Sequence, residues 1–156
     1  MPGDQQMSRY HRQMIIPGWG EAAQRALAGS TVFVAGAGGL GCPALIYLAA
    51  AGVGAIRICD GDTVSESNLN RQILYGDNDI GKPKAALAAQ ALASLNGGVR
   101  VEPLAVMIDE LSADWLVAGA SIIVDCLDNY EARLALNAVS VRRGVPMVHA
   151  AISGLY

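Results

Sequence analysis

The sequence predicts an α/β fold, a doubly wound and mainly parallel sheet with helices on both faces. Three observations support this prediction. Apolar runs of strand length alternate with segments rich in good helix formers. A cluster of glycines follows the first apolar run at once, and acidic side chains follow two later runs, at Asp60 and Asp125. Because right-handed crossovers between parallel strands put helices on both faces, the pattern indicates a Rossmann-like sheet.

Composition is typical of a globular protein. The chain has 156 residues, of which 53% are hydrophobic and 16% are charged, enough for one domain with a core. A net charge of −3 offers no basic surface, so a nucleic-acid partner is not expected.

The N-terminal residues lack the features of a signal peptide, and no apolar run reaches the roughly 20 residues that span a bilayer. The three cysteines form no Cys-x-x-Cys pair. We therefore expect a cytoplasmic protein without a membrane segment. Its cysteines are expected to be buried thiols rather than metal ligands or disulfides.

Residues 1–29 form the first predicted unit, an arm followed by a short helix. Two arginines, a tyrosine and a histidine lie close together in the arm before Pro17 and Gly18 interrupt it. The arm is either solvated or brings a guanidinium to a phosphate, and both interpretations stay open at this point. The short helix is predicted from Glu21 to Leu27.

The second predicted unit, residues 30–156, opens with a strand, a glycine turn, a helix over residues 42–51 and a strand that ends in Asp60. The turn contains Gly36, Gly38, Gly39 and Gly41. In nucleotide-binding half-folds a phosphate meets the helix N-terminus and the acid meets a ribose hydroxyl. Glycines alone could serve only helix–sheet packing, but here the strand, the helix and the acid also fall where a nucleotide site needs them.

A polar stretch, residues 61–72, follows Asp60 at the ligand edge of the sheet. Its acidic, hydroxyl, amide and guanidinium groups could hold a ribose, a metal and a triphosphate. The alternative is an ordinary solvated loop, although a long loop in a compact domain is usually functional.

The next helix is predicted from Lys84 to Leu95, with Pro83 in its first turn. A cation at a helix N-terminus opposes the helix dipole, and a bound polyphosphate would compensate for that. The alternative is that Lys84 is a surface lysine.

The remaining predicted elements are a strand over 99–106, a short helix over 112–118, a strand from 121, a helix over 130–143 and a strand over 145–151. The strand from 121 delivers Asp125 and Asp128 to the ligand edge, where one of them would bind Mg²⁺ together with substrate phosphates. Asp128 could instead cap the following helix. His149 is interpreted as a core or edge histidine and not as a ligand.

Five motifs occur in order along the chain, and together they resemble the adenylation domain of the ThiF/MoeB/HesA proteins, bacterial relatives of the ubiquitin-activating enzymes. The motifs are Arg9-Tyr-x-Arg12-Gln13, Gly36-x-Gly38-Gly39-Leu-Gly41-Cys42, Asp60-x-Asp62-Thr-Val-x-x-Ser67-Asn68-Leu-x-Arg71-Gln72, Gly81-Lys-Pro-Lys84 and Asp125-Cys-x-Asp128-Asn129. The resemblance runs from about Arg9 to the last residue.

The resemblance implies an adenylyltransferase that activates the C-terminal glycine of a ubiquitin-like sulfur carrier of the ThiS/MoaD type. In this family the carrier carboxylate attacks the α-phosphorus of ATP, giving an acyl-adenylate and pyrophosphate. ATP and Mg²⁺ are the implied cofactors, and thiamine or molybdopterin biosynthesis is an implied pathway.

The resemblance also implies roles for individual residues. Asp60 would bind the ribose, Asp128 would hold Mg²⁺, and Arg12 would reach across a homodimer interface into the partner's ATP site. The implied catalytic residues are Arg71, Lys84, Arg12 and Asp128. The implied nucleotide-binding residues are Gly36, Gly38, Gly39, Gly41, Asp60, Asp62, Ser67, Asn68, Arg71, Lys84, Asp128 and Asn129.

Family members usually continue beyond the fifth strand, where strands cradle the carrier and many members bind zinc through two Cys-x-x-Cys pairs. This sequence has neither feature, so the adenylation domain is expected to be truncated at its C-terminal end and to lack the zinc site.

Three alternatives remain. A relative that acts on a carboxylate of modified tRNA is disfavoured by the low basic content. An NAD-binding dehydrogenase-like domain would explain Asp60, but not Arg71 and Lys84. A non-catalytic nucleotide-binding dimerisation module is the third.

Overall fold

The computed structural model describes residues 8–152, so the first seven residues of the predicted arm and the last four of the predicted domain lie outside the described residues. Five parallel strands form one sheet in the order β3-β2-β1-β4-β5. The strands are β1 Thr31–Ala35, β2 Ala55–Cys59, β3 Arg100–Leu104, β4 Ile122–Asp125 and β5 Met147–His149. The predicted fold class is confirmed.

Helices alternate with these strands along the described part of the chain. They are α1 His11–Met14, α2 Gly20–Ala28, α3 Gly41–Ala51, α4 Lys84–Leu95, α5 Ala113–Val117 and α6 Tyr130–Arg143. Two short 3₁₀ turns, Glu66–Asn68 and Asp77–Asp79, interrupt the polar stretch after β2. Within residues 8–152 no helix is both long enough and apolar enough to cross a membrane.

Strand β1 explains why the sheet is covered on both faces. Val32 and Val34 belong to one hydrophobic cluster, which also contains the buried side chains of α3 and α4. Phe33 and Ala35 belong to a second cluster with those of α5 and α6. Successive side chains of a strand point to opposite faces, so an uninterrupted apolar run is what a strand between two helical layers requires.

Two strands are shorter than the sequence predicts. Strand β3 covers residues 100–104 instead of 99–106, because the Val106 N–H bonds back to the Leu104 carbonyl and turns the chain out of the ladder. Strand β5 covers residues 147–149 instead of 145–151, because it pairs only with the last three residues of β4.

The strand order reverses between β1 and β4. The chain passes from β1 to β2 and β3 on one side, and then returns to β4 and β5 on the other. In open parallel sheets the crevice outside the carboxyl ends of such strands is where ligands bind. The topology therefore predicts a ligand site beside Gly36 and Cys126, which follow these two strands.

Candidate nucleotide-binding site

A cleft of about 850 Å³ lies at the carboxyl ends of the strands. Its walls come from the glycine turn after β1, the segments after β2 and β3, the start of α4, and the loop between β4 and α6. The predicted site residues that line it are Gly36, Gly38, Gly39, Asp60, Asp62, Arg71, Lys84, Asp128 and Asn129. Four other predicted residues, Arg12, Gly41, Ser67 and Asn68, do not line it.

The glycine turn brings the backbone close to the cleft. Gly36 has a φ of +91°, and a Cβ there would lie 2.9 Å from the carbonyl oxygen of Cys126. Gly41 lies below the cleft as the buried first residue of α3, where a Cβ would overlap the Gly36 carbonyl oxygen. Gly36 is thus needed because the turn has a positive φ there and lies close to the end of β4. Gly41 is needed because α3 packs closely against the turn.

Asp60 follows β2 and is tied to both neighbouring segments. One carboxylate oxygen accepts the Ala37 N–H at 2.8 Å, and the other accepts the Asp62 N–H at 2.9 Å. Burial raises the pKa of Asp60, and these two hydrogen bonds oppose the rise. Each oxygen keeps acceptor capacity, so the carboxylate can also receive a hydroxyl that enters the cleft.

Lys84 is the first residue of α4, and its ammonium contacts Asp62. The Nζ–Oδ2 distance is 3.1 Å, and the Lys84 N–H donates to the Asp62 carbonyl at 3.0 Å. Lys84 is only 6% exposed, whereas the Asp62 side chain is 63% exposed. Interpreting Lys84 as a surface lysine is therefore wrong: it is a buried cation facing the cleft, at a helix end that favours anions.

Arg71 reaches the cleft from the polar stretch after β2. Its Nη1 donates to the Ser67 carbonyl and to Asn70 Oδ1, both at 3.0 Å. Its aliphatic part lies beside Gly39, 3.4 Å from where a Cβ would be. The guanidinium is therefore held over the glycine turn.

Ser67 and Asn68 shape the 3₁₀ turn that precedes Arg71. Asn68 Oδ1 accepts the Ser65 N–H at 3.2 Å, and the Ser65 and Ser67 hydroxyls lie 3.0 Å apart. These bonds keep both side chains within the turn, while the Ser67 carbonyl holds Arg71. Neither side chain lines the cleft in this structure.

The two acidic residues in and before the loop between β4 and α6, Asp125 and Asp128, lie in different environments. Asp125 is 1% exposed and accepts from the Leu127 N–H at 3.0 Å, while His149 Nδ1 lies 2.7 Å from its other oxygen. Asp128 instead lines the cleft. The Asn129 side chain caps α6 by accepting the Ala132 N–H at 2.8 Å, so the capping role considered for Asp128 belongs to Asn129.

Sequence reasoning missed several residues of the cleft. Gln72 and Arg133 line it, and so does the segment 106–108, interpreted in part as a polar linker. Gln72 directly follows Arg71 in one of the family motifs, and Arg133 lies one helical turn after Asn129. Their positions next to predicted site residues could therefore have indicated them. The segment 106–108 had no such signal, because its place depends on the turn that ends β3.

The cysteines carry no charge at neutral pH. All three are free, and two are fully buried. Burial raises the pKa of Cys126, which lines the cleft, to about 11 and that of Cys59 to about 12. Cys42 and Cys59 are the buried thiols that the sequence predicts, whereas Cys126 is only partly buried.

The arm that carries Arg12 is docked far from the cleft of its own chain. The Tyr10 hydroxyl accepts from Asn96 at 2.9 Å, Arg9 donates to the Leu95 carbonyl at 2.9 Å, and Gln13 donates to the Ala51 carbonyl at 2.8 Å. These partners lie at the C-terminal ends of α3 and α4, on the side of the sheet where β2 and β3 begin. Strands of five residues are about 16 Å long, so the exposed Arg12 lies across the sheet from its own cleft.

The cleft suits a nucleotide and a magnesium ion. The cationic side chains of Arg71, Lys84 and Arg133, the half-buried carboxylate of Asp60 and the glycine turn converge on it. The Asp128 side chain lines the cleft and makes no hydrogen bond or ion pair with another described residue, so its oxygens are available. No group of three or more potential metal ligands occurs within residues 8–152. Mg²⁺ is commonly held by one or two carboxylates together with substrate phosphates, and the Asp128 carboxylate is of that kind.

Comparisons with known proteins agree with this geometry. The SAMP-activating enzyme E1 of Haloferax volcanii is 45% identical over 147 residues, which are 94% of this chain and 54% of that protein. The molybdopterin-synthase adenylyltransferase of Salmonella typhimurium is 44% identical over 148 residues, which are 95% of this chain and 59% of that protein. The chain therefore spans less than two thirds of the length of these relatives.

A solved structure has the same architecture with a nucleotide bound. The tRNA N6-threonylcarbamoyladenosine dehydratase TcdA of E. coli, in complex with ATP, superposes with a TM-score of 0.88 and 28% identity. The match covers 94% of this chain and 60% of that one. The sequence profile of the ThiF family matches residues 10–156. The chain belongs to the ThiF family.

Proposed function

We propose that this chain adenylates the C-terminal glycine of a ubiquitin-like sulfur-carrier protein at the expense of ATP. The observation that carries the proposal is the convergence of Asp60, Arg71, Lys84 and Asp128 on one cleft. These residues come from four separate segments. Arg71 and Lys84 are complementary in charge to phosphates, while Asp60 and Asp128 offer oxygens to a ribose hydroxyl and to a metal ion.

In the proposed reaction a carboxylate oxygen of the carrier attacks the α-phosphorus of ATP. A new bond forms between the carboxylate oxygen and the α-phosphorus. The bond from the α-phosphorus to the oxygen that bridges to the β-phosphorus breaks, and pyrophosphate leaves with that electron pair. The attacking carboxylate is already ionised, so no general base is needed. The protein has to orient the two anions and to offset their repulsion, and Arg71 and Lys84 are the cations that line the cleft for this purpose.

Asp128 is the proposed ligand for Mg²⁺, with Asn129 beside it. When bound, the metal would neutralise charge on the phosphates. Asp60 would accept a ribose hydroxyl, while Asp62 would keep Lys84 oriented through their ion pair. Arg71 would contact phosphate from above the glycine turn, positioned by the Ser67 carbonyl.

The names of the relatives favour a carrier protein over tRNA as the substrate. The relatives at 45% and 44% identity are named for activating SAMP and for molybdopterin synthase, while the structure named for tRNA is 28% identical. The formal charge of −3 adds to this preference, because tRNA binding usually needs a basic surface.

A homodimer with shared ATP sites is also part of the proposal. Support comes from the arm, which the contacts of Tyr10 and Gln13 hold at the edge of the sheet opposite the cleft. From there Arg12 cannot reach the cleft of its own chain, but it is exposed and free to enter that of a second copy. The arm would then supply a third cation to the phosphates.

The test is ATP–pyrophosphate exchange, measured with and without a ubiquitin-like carrier that ends in Gly-Gly. Exchange that requires the carrier is the expected result. Arg71→Ala should abolish it while the circular-dichroism spectrum stays unchanged, and Arg25→Ala is the matched control because Arg25 lies on the exposed face of α2.

Other outcomes point to other functions. Exchange that depends on modified tRNA instead of a carrier would overturn the proposed substrate. ATP binding without exchange under any of these conditions would indicate a non-catalytic nucleotide-binding dimerisation module. Enhanced NADH fluorescence on binding would favour the dehydrogenase-like alternative.

A further inference from the structure

Gln72 is a buried amide whose carbonyl oxygen has no partner. The residue is 4% exposed, it lines the cleft, and its Oε1 makes no hydrogen bond within the described part of the chain. Buried polar atoms are nearly always hydrogen-bonded. An unpaired polar atom in the wall of a cleft therefore indicates that a bound ligand supplies its hydrogen-bond partner.

The neighbours of Gln72 cannot complete it. Its backbone N–H donates to the Asn68 carbonyl at 2.9 Å, and its own carbonyl accepts the Tyr75 N–H at 3.2 Å. The Tyr75 hydroxyl is already engaged with the Ala37 carbonyl at 2.8 Å. The backbone of Gln72 is therefore fixed, while its side-chain Oε1 is buried in the wall of the cleft without a partner among the described residues.

The other buried orphan of the cleft has a different explanation. Arg133 Nε has no hydrogen-bond partner, but it lies 3.8 Å from a carboxylate oxygen of Asp125. Its Nη2 also donates to the Leu127 carbonyl. The charge of Arg133 is thus balanced inside the protein, whereas nothing in the described residues balances Gln72 Oε1.

The position of the amide indicates which part of a nucleotide it would meet. Gln72 Nε2 lies beside Gly38, 3.5 Å from where a Cβ would be, and the neighbouring Ala37 N–H binds Asp60. The amide and the proposed ribose-binding carboxylate therefore flank the same glycine turn. A carbonyl oxygen needs a donor, which ionised phosphates lack and ribose hydroxyls supply.

We propose that Gln72 is a nucleotide-binding residue whose side-chain carbonyl accepts a hydrogen bond from a ribose hydroxyl of ATP. It would share recognition of the sugar with Asp60. The inference rests on the proposed ATP-binding function and adds a specificity determinant to it, because a sugar without the relevant hydroxyl would leave the amide unpaired.

The test compares the wild type with Gln72→Met, which keeps the length of the side chain and removes the amide. Dissociation constants are measured by calorimetry for ATP, 2′-deoxy-ATP and 3′-deoxy-ATP. We expect the wild type to bind one deoxy analogue about five- to tenfold more weakly than ATP, the usual effect of one neutral hydrogen bond. In Gln72→Met this discrimination should disappear for that analogue.

Gln90→Leu is the matched control, because Gln90 is an exposed glutamine of α4 outside the cleft. The midpoint of thermal unfolding without ligand is a second readout. It should not fall in Gln72→Met, since the substitution removes an unpaired buried polar atom. If Gln72→Met does not fold, Gln72→Leu serves in its place, and failure of both to fold would show a structural role and overturn the inference.

Two further results would overturn it. Gln72→Met could bind all three nucleotides with the same ratios as the wild type, or it could weaken all three by one common factor, as a phosphate contact would. In both cases the wild type still binds ATP, and the proposed function stands. A wild type that binds no ATP would refute the proposed function and this inference with it.

Discussion

The Lys84 ammonium lies 3.1 Å from the Asp62 carboxylate at the very start of helix α4, where the helix dipole favours an anion. The lysine is buried and Asp62 is largely exposed, so the ion pair extends from the interior of the cleft to the protein surface. An entering phosphate would meet a cation that is already oriented.

Lys84→Met should slow exchange strongly and leave the fold intact. Methionine fills the same space without the charge, and the exposed Asp62 remains solvated, so the midpoint of thermal unfolding should change little. Loss of one preorganised cation should slow exchange by roughly 10²- to 10³-fold. Lys82→Met is the control, because Lys82 is exposed two residues earlier; equal losses in both variants would contradict the assignment.

Mixing two inactive variants should restore activity if the ATP sites are shared. Arg12→Ala and Lys84→Met each damage a different contribution to one site, so a mixed dimer has one complete site. Random re-association gives about half mixed dimers and thus about a quarter of full exchange activity. Native mass spectrometry verifies subunit mixing. Verified mixing without rescue would mean that Arg12 does not act in the partner's site.

Nucleotide binding should weaken on acidification at a higher pH than an ordinary aspartate would cause. Burial raises the pKa of Asp60, so its carboxylate takes up a proton earlier as the pH falls and loses its charge-assisted hydrogen bond to the sugar. Adenosine is the probe, because it carries no titrating phosphate. Its affinity is measured from about pH 7 down to about pH 4.

Asp60→Asn is the control for this pH dependence. The variant should bind adenosine about 10- to 100-fold more weakly, as expected for loss of a charged acceptor, and its affinity should change much less with pH. A wild-type curve that stays flat down to the ordinary aspartate range would refute the role given to Asp60. Because the pKa of Asp60 is raised in the folded protein, its ionisation lowers the free energy of unfolding at neutral pH. This cost is lost as the pH falls through the raised pKa toward the ordinary value for aspartate.

Two glycines of one turn should respond differently to the same substitution. Gly41→Ala puts a Cβ into the Gly36 carbonyl oxygen and should destabilise the fold by about 1–3 kcal/mol, with a lower midpoint of thermal unfolding. Gly39→Ala meets only the flexible side chain of Arg71, at 3.4 Å or more, so it should unfold like the wild type but bind ATP more weakly. The opposite pattern would show that the two glycines have exchanged roles.

The fold could be predicted from the sequence because its signals are local. The apolar run over residues 31–35 and the helix formers over residues 84–95 need no distant partner to be recognised. The ligand edge was also predictable, since parallel strands deliver their carboxyl ends to one side. Asp60 and Lys84 lie at that edge because each is adjacent in sequence to a strand or helix terminus.

The missed features depend on contacts between residues far apart in sequence. Asp125 and Asp128 look equivalent in the sequence, but Asp125 is occupied by contacts inside the protein, among them His149, 24 residues further along the chain. The docking of Tyr10 on Asn96 spans 86 residues. Gln72 lies in a stretch that is too polar for a core, so its burial could not be predicted.

The Asp125 carboxylate also has a mechanical consequence. It accepts a hydrogen bond from the Leu127 backbone, contacts His149 and lies within ion-pair distance of Arg133. One buried carboxylate therefore connects β4, α6 and β5. Although β5 is only three residues long and stands at the rim of the sheet, any displacement of it would be transmitted to the loop that carries Asp128. The outermost strand and the loop that carries Asp128 are therefore joined through one buried carboxylate.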